Sequence, residues 1–99
     1  MELDQFEGFE WDSGNKTKNY KKHKVSNIEC EQVFFNRPLI IEVDVKHSAI
    51  EDRFYVLGQT DKSRKLFIAF TVRDKLIRII SARDMIKSER EFYGQKRNT

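Results

Sequence analysis

Lys65-Leu66-Phe67-Ile68-Ala69-Phe70-Thr71-Val72-Arg73 is the stretch that decides the fold. Leu66, Ile68, Phe70 and Val72 recur at every second position, with Lys65, Thr71 and Arg73 on the alternate side. That is the period of a strand with one buried face and one open face. Asp74-Lys75 then makes a two-residue hairpin link without the usual glycine. Leu76-Ile77-Arg78-Ile79-Ile80-Ser81-Ala82-Arg83 returns as the partner strand. Arginine in such an apolar run is costly unless it is paired or meets a ligand. The tract therefore suggests a strand that delivers cationic groups to an anion, with RNA or DNA phosphate the first candidate.

Working outward, Arg53 to Thr60 is predicted as the preceding strand, and the turn Gln59–Arg64 has Asp61 and Ser63 as turn formers. Leu39 to Val43 is a further β-rich run, separated from it by the polar loop 44–52. Ser26-Asn27-Ile28-Glu29 is a capping-box pattern that opens a helix with Ile28, Gln32 and Phe35 on one face. Asn36-Arg37-Pro38 ends it, since proline disfavours helix at the residue before it. Residues 13–24 are predicted as a polar helix anchored by Tyr20 and capped by Asp12 or Ser13, and Phe6–Trp11 as a short strand. Ile86 to Lys96 is the closing helix, with Ile86, Arg90, Tyr93 and Arg97 on one stripe. The expected order is β-α-α-β-β-β-β-α: an α+β fold with a compact antiparallel sheet, two N-terminal helices and one C-terminal helix, all packed on one sheet face.

The length of 99 residues implies a single domain, 1–99. One cysteine, Cys30, excludes an internal disulfide, and one Cys with two His (His23, His47) argues against structural zinc. No signal peptide is evident, and no apolar run approaches the ~20 residues of a membrane span, so a cytoplasmic location without membrane association is expected. The net charge of +3 is the sum of four segregated blocks: −5 over 1–12, +5 over 13–24, −4 over 25–52 and +7 over 53–99. Such asymmetry fits contact with nucleic acid or with a charged protein partner.

Three stretches carry a family resemblance when read together. They are Phe9-Glu10-Trp11-Asp12 with Asn15, Asn19 and Lys22-His23-Lys24-Val25-Ser26; Glu51-Asp52-Arg53-Phe54-Tyr55-Val56-Leu57-Gly58; and Ile77 to Arg83 followed by Glu89-Arg90 and Tyr93. In this order they resemble the BrnT toxins of type II toxin–antitoxin systems, from about Phe9 to Tyr93. The resemblance implies a RelE/ParE-like fold and an endoribonuclease that cleaves RNA and arrests translation and growth. It also implies a ribbon-helix-helix, BrnA-like antitoxin that covers the toxin in a hetero-oligomer and binds operator DNA with it to repress the operon. The chain departs from the family pattern at Lys24, where glycine is usual, at Arg37 before Pro38, where aspartate is usual, and at Ile86, where Thr or Ser is usual.

Metal-free RNA cleavage needs a base for the 2′-hydroxyl, cations for the charged phosphorane and an acid for the leaving 5′-oxygen. The sequence has no dense acidic cluster, so neither metal nor other cofactor is expected. Arg78 and Arg83 lead as phosphate ligands, because guanidinium stays charged and binds phosphate through two N–H groups. On a regular strand their spacing puts them on opposite faces. Either Arg83 acts from beyond the strand end, or only one of the pair faces the site. Arg78 can alternatively cross an exposed face and pair with Glu42 or Asp44. Arg53 is a third phosphate contact or a salt-bridge arginine. Lys22 and His23 are the base candidates; a solvated lysine and a packed helix-end histidine are the plainer alternatives. Arg90 and Tyr93 are candidates for RNA contact, with helix-to-sheet packing the alternative for Tyr93. Competing functions are a non-catalytic ParE-like inhibitor of a protein target and an accessory subunit of a DNA-binding repressor.

Overall fold

The computed structural model describes residues 6–48 and 51–97; positions 1–5, 49–50 and 98–99 and the Arg97 side chain lie outside the described residues. The acidic positions 2 and 4, counted in the charge blocks above, fall outside them. The elements are β1 (Gly8–Phe9), α1 (Lys18–His23), α2 (Asn27–Phe35), β2 (Ile40–Val43), a 3-10 turn (Val45–His47), β3 (Arg53–Gln59), β4 (Lys65–Arg73), β5 (Leu76–Asp84) and α3 (Lys87–Arg97). Their order is the expected one. Among the described residues no helix is long and apolar enough to cross a membrane.

One five-stranded sheet runs β1-β5-β4-β3-β2. β2–β3, β3–β4 and β4–β5 are antiparallel, but β1 lies parallel to β5, pairing Gly8 with Leu76 and Phe9 with Ile77. The sheet is therefore mixed, not wholly antiparallel. Pairing across nearly 70 residues leaves no turn signature, whereas the hairpins announce themselves locally. The β4–β5 link does so despite lacking glycine: Asp74 and Lys75 both adopt positive φ, 52° and 66°. Left-handed backbone at both central residues matches the twist of the flanking strands.

Both sheet faces are covered, not one. Val56, Leu66, Ile68, Phe70, Ile77, Ile79 and Ala82 pack with Val25 and with Cys30, Val33 and Phe34 of α2 in the main core. The alternate residues Leu57, Phe67 and Ile40 pack with Met85 and Tyr93 on the other face, under α3. Of the predicted stripe Ile86, Arg90, Tyr93 and Arg97, only Tyr93 is buried among the described residues, while Ile86 and Arg90 are exposed and the Arg97 side chain lies outside them.

α2 begins with the predicted capping box, Ser26 and Glu29 each bonding the other's backbone N–H. Its buried residues, however, are Cys30, Val33 and Phe34, while Ile28 and Phe35 face outward. Gly58 lets the helix approach: a Cβ there would lie 2.6 Å from Val33 Cγ1. α1 is half the predicted length, because residues 13–17 form turns around the buried Asn15. Its anchor is Asn19, not Tyr20, which is exposed.

Candidate functional site

Arg78 lies opposite Thr71 and Arg83 opposite Phe67 in the β4–β5 register. Ile79 pairs with Phe70 and Ser81 with Ala69, which leaves Ile80 without a partner. This bulge resets the alternation, since one inserted residue flips every later side chain to the other face. The two arginines consequently share the face opposite α1 and α2. Across β3 the same rows continue: Arg53–Thr71–Arg78, then Tyr55–Ala69–Ser81, then Leu57–Phe67–Arg83. Four strand residues at about 3.3 Å each separate the first row from the third by about 13 Å. α3 covers the third row; in the first two rows Thr71 and Ala69 are buried, and Arg53, Tyr55, Arg78 and Ser81 are partly exposed among the described residues.

Asparagine side chains hold the bulge from the edge. β1 reaches no further than Ile77. Beyond it, Asn15 Nδ2 donates to Ile79 O (3.1 Å) and Asn19 Oδ1 accepts from Ala82 N (3.0 Å), one on each side of Ile80. These amides take the place of a strand partner, which buried backbone groups need. Asn15 also donates to Glu10 O and accepts from Asp12 N, fixing the turn after β1.

That turn wraps Arg78. Its Nη1 donates to Glu10 Oε1 (3.0 Å) and Asp12 Oδ2 (2.7 Å), and Nη2 donates to Asp12 Oδ1 (3.1 Å). The predicted alternative partners, Glu42 and Asp44, are not used. A Cβ on Gly14 would stand 3.1 Å from Arg78 Nη2 and 3.1 Å from Asp12 Oδ1, so glycine keeps this clasp tight. The Arg78 guanidinium, with the Gly14 N–H, holds the Asp12 carboxyl below the usual range, and the Asp12 contact holds Arg78 more firmly charged.

Arg83 forks onto Glu89, Nη1 to Oε1 at 2.8 Å and Nη2 to Oε2 at 3.0 Å, and its Cζ lies 4.2 Å from the Phe67 ring centroid. Burial raises the Glu89 carboxyl, but Arg83 and the Ile86 N–H more than offset it, and the net shift is downward. Glu89 accepts the Ile86 N–H, the carboxylate half of a capping box whose hydroxyl half Ile86 cannot supply. The Arg53 guanidinium makes no hydrogen bond or ion pair among the described residues. Arg73, on the same face of β4, pairs with Glu51. The alternation of β4 had already placed it there, yet it was not among the predicted site residues.

Lys22 and His23 end α1, beside the far end of β5, where Arg64 spans Glu29 and Asp84 and bonds the carbonyls of His23 and Lys24. Lys22 is exposed and His23 half-buried. Among the described residues neither side chain bonds an arginine of the sheet face. Arg90 is exposed and donates to Met85 O. Tyr93 is 1% exposed, with its hydroxyl on Pro38 O, so its ring is a core element and in this arrangement offers no face for base stacking. Burial pushes the Cys30 thiol up to about 12, which leaves no thiolate nucleophile at neutral pH.

The arrangement is an arginine-lined sheet face on which Arg73, Arg78 and Arg83 meet carboxylates that anionic ligands can replace. The family model described as "Ribonuclease toxin, BrnT, of type II toxin-antitoxin system" matches residues 11–89. A search of curated proteins finds no match.

Proposed function

The chain belongs to the BrnT family of ribonuclease toxins of type II toxin–antitoxin systems, whose members have an antitoxin partner, and from that membership we propose that it is a cytoplasmic endoribonuclease acting without metal on single-stranded RNA. The observation that carries the reading is the shared face of Arg53, Arg78 and Arg83, onto which the Ile80 bulge turns Arg83. RNA phosphates exchange for the carboxylates of Glu10, Asp12 and Glu89, and the guanidiniums then stabilise the doubly charged phosphorane. His23 and Lys22 end α1 on the other side of the sheet, so an RNA strand following β5 past Arg83 rounds the Asp84 end of the strand to reach them. One of them accepts the 2′-hydroxyl proton as the 2′-oxygen attacks phosphorus. The bond from phosphorus to the 5′-oxygen breaks, that oxygen takes a proton from solvent water, and a 2′,3′-cyclic phosphate remains.

The same reading groups the fold with RelE/ParE-like toxins. It assigns growth arrest to loss of translated RNA. It gives the antitoxin a ribbon-helix-helix DNA-binding part through which the complex represses its own operon. Expression of the chain without an antitoxin should stop growth, and the purified protein should cut RNA in EDTA. Arrested growth with intact RNA in both settings would overturn the reading in favour of a protein target.

A further inference from the structure

Beside the third row the open sheet face deepens into a cleft of about 340 Å³. Ile40, Tyr55, Leu57 and Phe67 line it from the sheet, Phe92 and Glu89 from α3, and Glu42 from the edge strand β2. The volume is in the range of small-ligand sites. Three observations bear on its occupant. The Tyr55 and Phe67 rings stack, with centroids 5.4 Å apart and planes at 22°, and Arg83 lies over Phe67 from the neighbouring strand. Phe92 is half-exposed on the other wall. Finally, Glu10, Asp12, Glu51 and Glu89 are each engaged by an arginine, whereas Glu42 makes no hydrogen bond or ion pair among the described residues.

We propose that this cleft is a nucleobase subsite selective for guanine, resting on the ribonuclease reading of the arginine face. A base unstacked from a strand whose phosphates lie along Arg78 and Arg83 enters the cleft against the aromatic walls. Such walls accept any base, because every base has a π-face. Selection comes from Glu42. A carboxylate with two open oxygens needs a base edge with two adjacent donors, and guanine offers N1–H beside its N2 amino group. Adenine and cytosine place an acceptor nitrogen beside their single amino group, and uracil flanks one N–H with carbonyls. These edges meet the second carboxylate oxygen with repulsion.

The test is titration of the purified full chain with the four nucleoside 3′-monophosphates, followed by NMR, together with cut-site mapping on single-stranded RNA. Guanosine monophosphate should bind about tenfold tighter than the others, and Glu42→Gln should erase that preference, the scale expected of a bidentate base contact. Ring signals of Tyr55, Phe67 and Phe92 should shift, and Phe92→Ala should weaken all four nucleotides alike. Equal binding of the four, or a guanine preference that survives in Glu42→Gln, would overturn the proposal. So would a Phe92→Ala variant that loses the antitoxin while its nucleotide titration is unchanged, since the cleft would then belong to the antitoxin. The titration needs no cleavage. A chain that binds guanosine monophosphate selectively yet cuts no RNA therefore overturns the ribonuclease reading and not the subsite.

Discussion

Arg78 and Arg83 stand five positions apart in one strand and yet share a sheet face, because Ile80 between them has no partner on β4. Their opposite residues, Thr71 and Phe67, are four apart, and that even spacing restores the parity which the odd spacing would break. If both arginines contact RNA phosphate, each contributes to the salt dependence of binding. Arg78→Ala should lower the slope of log affinity against log salt by about 0.7 on single-stranded RNA. Fluorescence anisotropy across a potassium chloride series reads this directly, and an unchanged slope would remove Arg78 from the phosphate contacts.

Asn15 is 3% exposed and makes three hydrogen bonds to backbone groups of the β1 turn and β5. Asn15→Ala leaves those groups without their partner at the bulge. The expected loss is about 2–4 kcal/mol. For a domain of this size that lowers Tm by more than about 8 °C. Calorimetry decides; a shift of a degree or two would mean that the bulge is held by β4 alone.

Arg64 clamps Asp84 and Glu29 and so predicts an acid response. Its hydrogen bond holds the Asp84 carboxyl below its usual 3.8. Burial raises the Glu29 carboxyl, but the Ser26 N–H and Arg64 outweigh it and leave it below its usual 4.5. A carboxylate depressed in the folded state contributes stability that is complete above the unfolded pKa and is lost as pH falls through the folded value. Urea midpoints should therefore hold steady above about pH 5 and fall below about pH 4.5. In Arg64→Ala the midpoint should start lower and fall less steeply over the same window. Parallel pH profiles for the two proteins would contradict the assignment.

Lys24 ends α1 in the left-handed region, at φ 58° and ψ 35°, with its N–H on the Asn19 and Tyr20 carbonyls. Its side chain is exposed and adds only a 5.5 Å approach to the Tyr20 ring. Lys24→Gly should relieve about 1 kcal/mol of backbone strain. A rise of about 4–8 °C in Tm follows. No rise would mean that the Tyr20 contact is worth as much as the strain.

Much of the fold was readable because its signals are local. The alternation of Leu66, Ile68, Phe70 and Val72 fixed the buried face of β4, and Ser26 with Glu29 marked the start of α2. The parallel β1–β5 pair escaped notice because it depends on distant segments. The helix faces were misassigned where helical spacing favoured Ile28 and Phe35 over Cys30 and Val33, and where Tyr20 outranked the polar anchor Asn19. Of the site, the identities of Arg53, Arg78 and Arg83 were readable, but their common face was not. Ile79 and Ile80 are both apolar, so nothing in the side chains marks which residue bulges. The clue lay in Asn15 and Asn19, whose amides are needed only where a strand edge lacks a partner. Tyr93 was misread for a related reason: a tyrosine on a basic helix shows its polar tip in sequence, and its depth only in the fold.

The most direct test of the account is RNA cleavage by the Arg78→Ala, Arg83→Ala double variant in EDTA, with circular dichroism to establish that it remains folded. Each arginine touches its own carboxylates and they share none among the described residues. The double variant should be folded, should lose cleavage by at least about 100-fold, and should no longer arrest growth. A folded double variant that still cuts RNA and still stops growth would contradict the arginine face as the site.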